Sequence, residues 1–112
     1  MKTAIDKLLD EIEATRIRVT KTHINKGHQG EPHSCAVALA FKDTFHRCRH
    51  VAVLPGDRSI CVGFRVSGKL VKIRCSLPDF MVNFIEEFDE KERVNQMDPI
   101  EFQLDQFKIL EP

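Results

Sequence analysis

The chain has 112 residues, 42% of them hydrophobic and 30% charged, with 17 basic and 17 acidic side chains and a net charge of zero. That balance fits one globular domain with its own core and argues against a dedicated, uniformly basic nucleic-acid binder. No apolar run approaches the roughly 18 to 20 residues a membrane span needs, and MKTAIDKLLDEIEATR has no uninterrupted signal-peptide core. The expected location is the cytoplasm, with no membrane partner, and with Cys35, Cys48, Cys61 and Cys75 kept reduced.

In chain order, residues 3 to 14 predict an amphipathic helix, since Ile5, Leu8, Leu9 and Ile12 fall at helical spacing and Thr3 can cap the start. RIRVT (16–20) alternates and predicts a strand. THINKGHQGEPH predicts a loop with one helical turn before Gly27. Ser34 is placed to cap the next helix, CAVALAFKDTFHR, whose small residues allow close packing. HVAVL (50–54) predicts a buried strand ended by the Pro-Gly-Asp turn.

SICVGFRVSGKLVKIRCS carries two alternating runs around Ser67-Gly68, the pattern of a two-residue hairpin. In that register Val66 faces Lys69, Phe64 faces Val71, Val62 faces Ile73 and Ile60 faces Cys75 on one apolar side. The other side carries Cys61, Gly63, Arg65, Leu70, Lys72 and Arg74.

SLPDFMVNFIEEFDEKE predicts a helix with Pro78 in its first turn and a core stripe of Phe80, Met81, Phe84, Ile85 and Phe88. In IEFQLDQFKIL, Ile100, Phe102 and Leu104 alternate with polar residues, and the phase breaks near Gln106. The order α-β-α-β-β-β-α-β predicts a single α+β domain over residues 1–112. It would hold one mixed sheet of about five strands with helices packed on it, 1–15 forming an N-terminal helix.

Charge is segregated along the chain. Residues 33 to 75 hold eight basic and two acidic side chains, and residues 79 to 112 hold three basic and ten acidic ones. Such asymmetry asks for a functional reading.

The clusters HINKGHQGEPHSC and HRCRH raise the question of metal. Structural zinc sites pair their ligands tightly, and no Cys-x-x-Cys pair occurs here. His33 and Cys35 are separated from His46 and Cys48 by a helix about 16 Å long, whereas His23, His28 and His33 share a loop and come together more easily; zinc binding ranks third among the functional readings, and no metal and no cofactor is expected. His28 and His50 are read as polar loop and helix-end residues, and Cys35 as an apolar filler. A Cys35 nucleophile near the helix start is weighed and set below a buried thiol. With no phosphate loop, nucleophile elbow or paired carboxylates, no enzyme is expected.

Two surfaces remain. An acidic face of Glu86, Glu87, Glu90, Glu101 and Asp105 suits a non-enzymatic protein-binding or inhibitory module acting on a basic partner protein. The alternative is nucleic-acid binding through Arg65, Lys72 and Arg74 on the hairpin, with Lys42, Arg47, Arg49 and Arg58 extending it. No aromatic interleaves with those cations, so base stacking is not expected. Either a monomer or a homodimer fits.

IRVTKTHINKGHQGEPHSCAVALAF also resembles a group of small bacteriophage and prophage proteins. Their shared pattern is a strand, His-Ile, two variable residues, Gly, a loop, then Cys and a small apolar helix. His23, Ile24, Gly27, Cys35, Ala36, Val37, Ala38 and Ala40 stand at those positions, and Leu77, Pro78, Phe88, Asp89, Pro99, Phe102 and Leu104 fit the group's later helix and strand. The resemblance spans residues 16 to 105. Many members carry Cys-Pro where this chain has Cys35-Ala36. It implies a phage origin and a host or phage protein as partner, the latter by analogy with small phage proteins. Its emphasis on one His and one Cys points to a shaped loop. His23 would fix that loop by a side-chain hydrogen bond, and Gly27 would supply a positive φ.

Overall fold

The structure, a computed structural model, describes residues 2–110. Helix α1 (Ala4–Ala14) starts with a capping box in which Thr3 and Asp6 bond each other's backbone N–H. Strand β1 (Ile17–Val19) leads into the short helix α2 (Lys21–Lys26), and a loop then reaches α3 (Ala36–Thr44). Strands β2 (Cys48–Leu54), β3 (Ser59–Val66) and β4 (Lys69–Ser76) form a meander. Helix α4 (Asp79–Glu90) follows, then β5 (Ile100–Phe102) and β6 (Asp105–Leu110).

The α+β class and the element order agree with the sequence reading, with α2 as the anticipated helical turn. The sheet organisation differs. The strands divide into a pair β1-β5 and a four-stranded sheet β2-β3-β4-β6, and every pairing is antiparallel. A helical crossover gives a parallel pair only if it returns to the same sheet. Here α4 carries the chain from β4 to β5, in the other sheet.

The closing segment divides near the point where its alternation breaks. Phe102 and Leu104 stay buried, Gln106 takes a left-handed φ of 53°, and β6 leaves β5 to pair with β4. The hairpin register is the one its alternation dictates, from Ile60 opposite Cys75 to Val66 opposite Lys69. Ser67 and Gly68 both have positive φ, the backbone of the turn type that matches strand twist.

One face of the four-stranded sheet is the core. Val51, Val53, Ile60, Val62, Phe64, Ile73 and Cys75 are buried there with Leu8 and Ile12 of α1, Phe41 of α3 and Met81 and Phe88 of α4. Phe41, Phe45 and Phe64 form an aromatic cluster with ring centres 4.7 to 6.2 Å apart.

Two local expectations are corrected. Phe80 is 49% exposed, whereas Val82 is buried. These residues sit at opposite margins of the stripe Met81, Phe84, Ile85, Phe88, and the helix is rotated to turn Val82 inward. The N-cap of α3 is Cys35 and not Ser34, and its side chain makes no capping bond.

Candidate functional site

The outer face of the four-stranded sheet follows from the hairpin's period of two. Arg65, Leu70, Lys72 and Arg74 point away from the core and are exposed. Strand β6 adds a cation that the sequence does not assign to this face, because its register sets Lys108 opposite Arg74 and Leu110 opposite Lys72. Arg65, Lys72, Arg74 and Lys108 thus share one exposed face. From His50 on β2 across to Lys108 it carries no carboxylate among the described residues. The nearest acid in the register is Asp105, opposite Ser76 at the far end. With strands about 4.8 Å apart, β2 and β6 lie roughly 14 Å apart. No aromatic joins this face, since Phe41 and Phe64 are buried.

The β2 edge of the face is built by the loop between α2 and α3. Val53 donates its N–H to the Pro32 carbonyl at 3.0 Å, so the loop runs alongside the strand. His33 donates from Nδ1 to the Val51 carbonyl at 2.7 Å, which leaves Nε2 as the bare nitrogen of a neutral ring. Its ring centre lies 5.1 Å from that of His50. Lys42 donates to the His33 carbonyl at 2.9 Å. His50 lies in the strand that HVAVL predicts, and Gly63 lies directly between it and Lys72 in the register. A Cβ on Gly63 would sit 3.2 Å from the His50 Cβ, so the glycine lets His50 and Leu70 close over the strand. Burial, and after it the charges of His33, Lys72 and Lys42, hold the His50 pKa below the ordinary histidine value.

The acidic residues are distributed differently. Glu86, Glu87 and Glu90 are exposed on α4, with Glu87 paired to Lys91 at 2.8 Å. Glu101 lies on β5 between Arg16 at 3.0 Å and Arg18 at 3.3 Å, in a recess shared with Pro78 and Phe80 at the other end of α4. The structure therefore groups Glu86, Glu87 and Glu90. It places Glu101 beside the start of the helix and Asp105 at the end of the sheet.

His23, Gly27 and Cys35 meet where α2 packs on α3. His23 accepts the Thr20 N–H at Nδ1 (3.0 Å), closing a capping box around α2. Its Nε2 therefore carries the proton and reaches Asp43 at 2.5 Å. Gly27 does not have the positive φ expected of it; its φ is −68°. Its role is close approach, since a Cβ there would lie 2.5 Å from the Ala36 backbone nitrogen.

Cys35 is buried, and its thiol pKa is pushed up by burial and only partly offset by neighbouring backbone N–H groups. That is the environment of an inert thiol. Cys75 is pushed up to about 12 by burial and by Cys61 nearby. Among the described residues, no three His, Cys, Asp or Glu side chains converge in a manner that would hold a metal ion. His46 and Cys48 flank the exposed Arg47 and Arg49 beside Arg65, where Cys48 donates to the His50 carbonyl.

A side-chain hydrogen bond from His23 was expected from the sequence, though not its partners Thr20 and Asp43, and nothing in the sequence placed Lys108 beside Arg74 or His33 beside His50. No family model, no curated protein and no solved structure matches this chain.

Proposed function

We propose that this protein binds nucleic acid through the outer face of its four-stranded sheet, by contacts to backbone phosphates. The observation that carries this reading is the row of Arg65, Lys72, Arg74 and Lys108 on one exposed face, with no carboxylate among them in the described residues. Neighbouring exposed cations without anionic partners repel one another, and a polyanion relieves that repulsion while releasing its own counterions. Without aromatic groups on the face, binding is to the backbone and not to stacked bases. The zero net charge does not oppose this, because the compensating acids lie on other surfaces.

The test is fluorescence anisotropy of a labelled DNA duplex over a salt series. With four phosphate contacts the slope of log K against log salt is expected near −3.5, at about 0.9 per contact. The double variant Lys72→Glu, Arg74→Glu should lose affinity on the order of 100-fold and flatten that slope. No retention at 50 mM salt, or retention that ignores the reversal, sinks the reading.

A second reading concerns α4. Glu86 and Glu90 stand exposed beside Glu87, and among the described residues neither forms an ion pair, so this face suits a basic patch on a partner protein. It keeps the protein-binding role with a host protein as its partner, as the resemblance to phage proteins suggests. Reversing Glu86, Glu87 and Glu90 to Lys should abolish capture of one defined partner in a co-purification while the fold survives. Unchanged capture removes it.

A further inference from the structure

The edge of the sheet at β2 gathers four groups able to carry positive charge, from four different elements. His33 comes from the loop, Lys42 from α3, His50 from β2 and Lys72 from β4. The ionisable groups that bear on His50 are His33, Lys72 and Lys42, none of them acidic, and β3 contributes only the side-chain-free Gly63. Asp43, next to Lys42 in the chain, is engaged by His23.

We propose that His33, Lys42, His50 and Lys72 form a phosphate subsite that takes up a proton at His50 when it fills. The proposal rests on the nucleic-acid reading above and names the part of the face where phosphate binding is linked to pH. His50 has no hydrogen-bond partner for its ring among the described residues, and it sits where cations crowd it. A phosphate dianion or a backbone phosphodiester placed among these groups reverses the sign of the local field. The protonated ring then gains a charge-assisted bond in place of repulsion. His33 is held by its bond to the Val51 carbonyl and presents Nε2 toward solvent-facing ligands. The proton comes from solvent and returns to it on release; no bond in the ligand changes.

The experiment follows the His50 ring resonance in a pH titration of the full chain, free, with inorganic phosphate, and with a short DNA duplex. Duplex affinity is measured alongside from pH 8 to pH 6 for the wild type, His50→Gln and His33→Gln. One linked proton changes affinity by at most tenfold per pH unit. The expected result is a duplex affinity several-fold higher at pH 6 than at pH 8, a His50 midpoint moved upward by ligand, and loss of most of the pH dependence in His50→Gln.

A His50 midpoint unmoved by bound duplex, or an unchanged pH dependence in His50→Gln, overturns the subsite. The two proposals fail separately. If no duplex binds at any pH but inorganic phosphate raises the His50 midpoint, the subsite stands as a small-anion site and the nucleic-acid reading falls. If duplex binds with a steep salt slope and no linkage to His50, the reverse holds.

Discussion

His23 and His50 show what the same side chain becomes in two settings. His23 lies in the α2–α3 junction with both ring nitrogens engaged, one by the Thr20 N–H and one by Asp43. Its tautomer is fixed and its ring is part of the scaffold. His50 lies on an exposed sheet edge among cations, with no partner for its ring among the described residues. A satisfied polar group stabilises the fold, whereas a group left unsatisfied at the surface is available to a ligand. The junction is therefore expected to respond to mutation through stability and the sheet face through binding. The Lys72→Glu, Arg74→Glu variant sharpens that division, since exposed substitutions of this kind shift stability by only about 0.5 kcal/mol. A clear fall in melting temperature for that variant would break it.

The largest stability effect is expected at Gly27. An added methyl group meets the Ala36 backbone nitrogen at 2.5 Å, and backbone held in a helix start cannot move aside as a flexible side chain can. Gly27→Ala should cost about 2 to 3 kcal/mol by overpacking and lower the melting temperature by roughly 10 °C, read by circular dichroism. Gly63→Ala is the milder case, because a Cβ there meets the His50 Cβ at 3.2 Å and the tip of Leu70 at 3.4 Å, a crowding that a shift of a few tenths of an ångström relieves. It should cost less and alter duplex binding more.

Next comes His23→Ala, which removes the cap of α2 and the bond to Asp43 together. The expected loss is about 1 to 2 kcal/mol, with duplex affinity unchanged. Asp43→Asn should cost less, since Asp43 is exposed and its amide oxygen still accepts the Nε2 proton. If both variants were equally damaging, the ionic part of the contact would outweigh the cap.

How far the sequence reveals these regions depends on the range of the interactions. The hairpin register, the amphipathic stripe of α4 and the break near Gln106 are set by residues adjacent in the chain, and alternation shows them. The division into two sheets is not local. It depends on where β6 docks after the Gln106 turn, and that docking is what brings Lys108 to Arg74. The loop that sets His33 beside His50 is likewise anchored by distant partners, through Gln29 to the Phe88 carbonyl and through Gly30 to Asp89. For the same reason Gly27 was readable as a required glycine but not for its actual cause. A close approach between two helices leaves no mark on either one alone.

A smaller effect separates the two histidines by pH. His50 has a folded pKa below the ordinary 6.5, so between those two values the unfolded chain binds more protons than the folded one. Stability is then fully present above pH 6.5 and declines as pH falls through that window, levelling off below the folded value. Because His50 is largely exposed, the decline is expected to be slight. It should be absent in His50→Gln, as read from urea midpoints at pH 7.5 and 5.5. Bound duplex should cancel or reverse it in the wild type.

The smallest change expected is at Ser59, and its sign is opposite to the rest. Ser59 is buried at the start of β3, and its hydroxyl is the single buried side-chain oxygen or nitrogen without a hydrogen-bond partner among the described residues. Removing an unsatisfied hydroxyl spares its desolvation cost, and the vacated space is less than one methyl group. Ser59→Ala should therefore stabilise the chain by about 0.5 to 1 kcal/mol without changing duplex affinity. Ser59 pairs with Ser76, and Ser76 bonds Gln106 at the β6 turn. A destabilised Ser59→Ala would thus mean that its hydroxyl supports the turn through Ser76. The positioning of Lys108 beside Arg74 would then begin at Ser59, and the stability and binding regions would not be independent.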